Sequence, residues 1–67
     1  MTGLTNRQRQ VCRYLCLGWS NRDIAAKLDL SHRTIETHRE VIFKKFKVRN
    51  VVELVREVYH IADEVVT

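Results

Sequence analysis

The twenty residues from Ser20 to Arg39 (SNRDIAAKLDLSHRTIETHR) constrain the fold more than any other part of the chain. They read as two helices joined by a tight turn. Ser20 and Ser31 are N-cap residues, Ile24, Ala25 and Leu28 share one side of the first helix, and Asp29-Leu30 is too short a connection for the second helix to return antiparallel. That is a helix-turn-helix layout, in which the second helix is projected outward far enough to enter the major groove of duplex DNA.

The flanking sequence supplies two more helices. Thr5 followed by Gln8 forms a capping box, Val11, Cys12, Leu15 and Cys16 make an apolar stripe, and Gly18 suits the left-handed residue after a helix end. These signals predict helix 1 over about residues 6–17 and place Leu4 in the core. Helix 2 is expected over about 21–28, with Asp23 near its positive end, and helix 3 over about 32–46. Asn50 with Glu53 caps helix 4, expected to reach about residue 64. The expected fold is therefore an all-α four-helix bundle in a single domain, residues 1–67, around a central helix-turn-helix.

Sixty-seven residues support one modest core, near the lower limit for folding without staples. With no Pro, two Gly and 45% hydrophobic residues, the chain reads as a helical globule rather than a linker. No apolar run is long enough to span a membrane and the start is not a signal peptide, so no membrane partner and a cytoplasmic location are expected. Met1 lies just ahead of Leu4, which suits an excised effector domain or a free-standing short regulator, with excision favoured.

Charge is unevenly distributed. The total is +4, but residues 1–49 hold 11 of the 12 Lys/Arg and four acids, giving +7, whereas residues 50–67 hold Arg56 against four acids, giving −3. A basic helix-turn-helix region favours a polyanion partner, because clustered cations displace condensed counterions. Taken alone, the imbalance fits an ordinary solvated charged surface better.

Helix 3 divides cleanly by angle. At about 100° per residue, Ile42 and Phe46 fall within roughly 20° of Ile35, while Arg33, Thr37, Glu40 and Lys44 lie near 140° to 200°. One face belongs to the core and the opposite face is polar, bordered by Glu36 on one side and by Thr34 and Val41 on the other. In a groove, Arg33 can donate to guanine, Glu36 or Glu40 can accept from the cytosine amino group, and Thr37 can touch a thymine methyl. The competing interpretation is a merely solvated face.

Together these residues resemble a known family. Leu4-Thr5, Arg7, Val11, Gly18, Ser20 to Ala25, Leu28, Ser31, Thr34-Ile35-Glu36, His38, Lys45-Phe46 and Glu53-Leu54-Val55 match, in order and without gaps, the LuxR-type DNA-binding domain, also called the GerE or NarL/FixJ type. The resemblance covers about residues 4–58. It implies four helices with the second and third forming the helix-turn-helix, and a bacterial transcription regulator that carries this module in a response regulator or signal-binding protein. It further implies base contacts from Glu36, Thr37 and Glu40 and phosphate contacts from Arg22, Thr34 and Lys45. Lys44, on the outer face, joins that phosphate set. His38 is taken as packing or phosphate positioning.

Three departures stand out. Gln8 and Gln10 replace frequent Glu, Val41 replaces a frequent polar residue, and Lys47 replaces a common Gly after helix 3. At that turn either a strained residue is tolerated or the shape differs.

Helix 4 has a wider apolar stripe than one core needs. Val55, Val58, Leu54, Ala62 and Val65 cluster near Val51, while Val52, Tyr59 and Val66 lie on a flank roughly 60° to 100° away. The resemblance implies a two-fold dimer contact from this helix, and Val52, Tyr59 and Val66 are its candidate surface; the alternative is a few exposed apolar side chains such as most small domains carry. Trp19 either lies at the surface or packs over helix 1.

No catalytic chemistry is expected. Cys12 and Cys16 read as small buried residues in a reducing compartment, and His32, His38 and His60 lack metal-ligand spacing, so no metal and no cofactor are assigned. The expected function is sequence-specific binding of double-stranded DNA for transcription regulation, as a homodimer, with RNA polymerase a further partner. A protein-interaction module retaining the fold, or a promoter-recognition piece of a sigma-like factor, are the competing readings.

Overall fold

Each helix starts where a side chain can accept from its otherwise unpaired backbone N–H groups. In the computed structural model, which describes the backbone of residues 3–66 and the side chains of residues 3–59, the order is α1 (Asn6–Cys16), α2 (Asn21–Leu28), α3 (His32–Phe46) and α4 (Val51–Val66). At α1 both arms of the capping box form, Gln8 N donating to Thr5 Oγ1 and Thr5 N to Gln8 Oε1, each at 3.1 Å. Ser20 Oγ accepts from Asp23 N at 3.1 Å, and Ser31 Oγ from Thr34 N at 3.0 Å. At α4 the cap is modified: Glu53 N donates to Asn50 Oδ1, but the Glu53 carboxylate reaches past Asn50 to accept from Arg49 N, both at 2.9 Å.

The three helix ends inside the chain share one device. Trp19 N donates to Tyr14 O, Leu30 N to Ala25 O and Val48 N to Phe43 O, at 3.0, 2.9 and 3.0 Å. In each case the preceding residue is left-handed: Gly18 at φ 90°, Asp29 at φ 55° and Lys47 at φ 57°. This is the Schellman stop, and the residue after the left-handed one is apolar every time. After α1, that apolar contact is Trp19 on Tyr14, with ring centroids 4.6 Å apart. Trp19 therefore packs over the end of α1 while remaining partly exposed. Lys47 is the strained alternative left open by the sequence: the turn keeps the shape that glycine would take.

The core draws on all four helices. Val11, Cys12, Leu15, Ile24, Ala25, Ile35, Ile42 and Leu54 are buried, with Leu4, Leu28, Phe46 and Val58 packed around them. Burying a side chain of this size is worth about 1.5–3 kcal/mol, which makes the set the main source of stability. Burial also pushes the Cys12 thiol from its ordinary 9.0 up to about 11, as expected of a structural rather than a reactive cysteine. No helix among the described residues is long and apolar enough to cross a membrane.

α1 ends one residue before the expected position and α4 runs two residues further. Val66 belongs to α4, but its side chain, like those of Ala62 and Val65, lies outside the described residues.

Candidate nucleic-acid interface

Packing decides which side of α3 is free. Ile35 and Ile42 are fully buried and Phe46 is packed beneath them, so the opposite side must face outward. Arg33, Glu36, Thr37, Glu40 and Lys44 are all exposed there. Four positions, 33, 36, 37 and 40, line one shallow hollow together with Asn21, Arg39 and Phe43, which brings the start of α2 against the outer edge of α3.

The hydrogen bonds on this face are short-range. Thr37 Oγ1 donates to the Arg33 carbonyl at 3.1 Å, which fixes its rotamer and leaves the methyl and an acceptor lone pair free. His32 Nδ1 lies 3.9 Å from Glu36 Oε2, a contact that becomes an ion pair only when the imidazole is protonated. Among the described residues, no carboxylate lies within 4.0 Å of Arg22, Arg33 or Lys44. Their charge is available to an outside partner.

Two residues assigned to phosphate have local work as well. Thr34 is half-buried and its hydroxyl shares a 2.8 Å hydrogen bond with the capping Ser31. Lys45 Nζ donates to the Gly3 carbonyl at 2.6 Å, tying the segment before α1 to the end of α3. His38 is half-buried at the edge of the core stripe.

One structural contributor escaped the sequence reasoning. Arg39 Nη1 donates to Asn21 Oδ1 at 3.1 Å, and its guanidinium sits 5.1 Å from the centroid of the Phe43 ring. This braces α3 against the first residue of α2. The angular count contained a hint: Arg39 falls at roughly 40° from Ile35, on the core side, where a guanidinium needs both a hydrogen-bond acceptor and an apolar surface for its stem.

Val52 and Tyr59 are 70% and 60% exposed, so the described part of the helix 4 flank is open to solvent. No group of three or more metal-ligating side chains is found among the described residues.

Comparison with known proteins agrees with this architecture. The GerE profile, described as bacterial regulatory proteins of the luxR family, matches residues 2–58. The Fimbriae Z protein of Salmonella typhimurium is 46% identical over 52 residues, which is 78% of this chain and 25% of the relative. The response regulator protein TmoT of Ectopseudomonas mendocina is 38% identical over 60 residues, 90% of this chain and 27% of TmoT. The response regulatory protein YgeK of Escherichia coli K12 is 42% identical over 53 residues, 79% of this chain and 36% of YgeK. The chain thus spans between a quarter and somewhat over a third of these relatives. With its four helices, braced helix-turn-helix and matched profile, the chain belongs to the luxR family of bacterial regulatory proteins, whose helix-turn-helix domains bind DNA to regulate transcription.

Proposed function

We propose that this chain binds duplex DNA sequence-specifically by placing the outer face of α3 in the major groove. The observation that carries the reading is the division of labour on α3: its apolar side is locked into the core while Arg33, Glu36, Thr37 and Glu40 stand exposed on the other. In this role Arg33 donates to guanine, Glu36 and Glu40 accept from cytosine amino groups, and the Thr37 methyl meets thymine. Arg22, Thr34, Lys44 and Lys45 hold phosphates and set the register. For Lys45 this means leaving the Gly3 carbonyl or bridging it to a phosphate oxygen, since the ammonium has three donors.

The functional unit is a homodimer on two half-sites, joined through the α4 flank of Val52, Tyr59 and Val66, so that protein and operator share a two-fold axis. Relatives named as response regulators support a role as the effector domain of a larger bacterial regulator working in the cytoplasm, with RNA polymerase as a downstream partner.

Selection of bound duplexes from a random pool, followed by a salt series on the winner, tests the proposal. A two-fold symmetric motif is expected, with log affinity falling linearly in log salt by about 0.9 per phosphate neutralised. An unenriched pool with no salt dependence would overturn it.

A further inference from the structure

The connection from Asp29 to Ser31 joins α2 and α3 at one end of the pair. Asn21 is the residue of α2 farthest from that connection, and Arg39 lies about two helical turns, or 10 Å, beyond it along α3. Among the described residues, the bond from Arg39 Nη1 to Asn21 Oδ1 is the only side-chain hydrogen bond that joins two helices. It closes the pair at the end the connection leaves open.

The guanidinium makes this choice with carboxylates close by. Glu36 and Glu40 line the same hollow as Asn21, Arg39 and Phe43, yet among the described residues no carboxylate lies within 4.0 Å of Arg39. A guanidinium fork commonly takes a carboxylate by two bonds, but here it takes a neutral amide and the face of the Phe43 ring, 5.1 Å from the centroid. Both carboxylates are thereby kept for an outside donor. Arg39 and Asn21 are half-buried, whereas Arg22, the next residue on α2, is exposed. The bond therefore sets how far Arg22 stands from the outer face of α3.

We propose that Arg39 is a positioning residue for operator discrimination. By closing α2 on α3 through Asn21, it holds the Arg22 phosphate contact and the base contacts of Glu36, Thr37 and Glu40 at one fixed spacing, and itself touches neither base nor phosphate. This rests on the roles proposed above for the outer face of α3. A duplex presents phosphates and base edges at set separations, so a protein that grips a phosphate brings its readers to the bases only if both grips are held at the matching distance. With the brace gone, α2 follows its phosphate while α3 reads loosely. Matched and mismatched sequences then bind more nearly alike.

The test measures affinity for a duplex selected from a random pool, and for the same duplex changed at one base pair of its motif, over a salt series. Asn21→Ala and Arg39→Met, the latter keeping an unbranched stem over Phe43, should each cut the ratio of the two affinities about tenfold. Combined, they should cut it no further, because both remove one bond. Asn21→Asp keeps an acceptor in place, so it should weaken both duplexes alike and preserve the ratio. The salt slope should hold in Arg39→Met. An unchanged ratio in Asn21→Ala, or losses that add in the double variant, would overturn the proposal. A slope lower by about 0.9 in Arg39→Met would make Arg39 a phosphate contact instead. A lowered urea midpoint with an intact ratio would reduce the brace to a structural role. Glu40→Ala separates the two levels of the argument: discrimination unchanged in that variant removes the base-reading roles and this inference with them. Discrimination lost there but kept in Asn21→Ala removes this inference alone.

Discussion

Lys47 shows how much one residue can be asked to tolerate. Its left-handed conformation costs a residue with a Cβ about 1–2 kcal/mol, whereas glycine pays only its larger unfolded-state entropy of about 0.5–1 kcal/mol. The lysine charge at the end of α3 returns a few tenths of a kcal/mol by facing the negative pole of the helix. Lys47→Gly is therefore expected to stabilise the domain by about 0.5 kcal/mol, read as a higher urea midpoint with an unchanged slope. A lower midpoint would mean that charge outweighs strain at this stop. Asp29, in the same conformation, has a short polar side chain that visits this region more readily, so the equivalent change there has less strain to relieve.

Among the elements, α3 makes the sharpest predictions because its two sides do different things. Thr37→Ala or Glu40→Ala should relax discrimination by about 1–3 kcal/mol at one base pair, while Lys44→Ala should weaken every sequence alike and lower the salt slope by about one. Equal losses on all sequences for the three variants, measured by competition binding, would erase the distinction between base and phosphate contacts. The fold was readable here for a simple reason: Ser20, Ser31 and the Ile35, Ile42, Phe46 repeat are local signals, and local caps and periodicity together determine where a short helix starts and which side it buries. The Arg39 brace was not readable because it joins residues 18 apart, and only the packed arrangement of α2 on α3 brings Asn21 within reach. The ends of α2 and α3 fall where the sequence puts them, but the left-handed form of the two stops is left open at Lys47 and not read at Asp29, for another reason. Sequence reasoning looks for glycine after a helix, but here the apolar residues Leu30 and Val48, one position further on, carry the signature instead.

At the scale of the molecule, assembly is the property most open to test. Tyr59→Glu places a charge on the exposed flank of α4, far from the buried Leu54, so folding should persist while self-association on a two-half-site duplex weakens by tenfold or more. Sedimentation showing undiminished dimers would move the two-fold contact elsewhere.

One arrangement described above reaches further than any single contact. The side chains that keep α3 in place, Ile35, Ile42, Phe46 and the Asn21-bound Arg39, share no position with the outward set at 33, 36, 37 and 40. Scaffold and address are thus written in separate letters of the same helix. If the proposed base contacts hold, a descendant of this chain would change the operator it answers to by exchanging four surface residues, with hardly any toll on its melting behaviour.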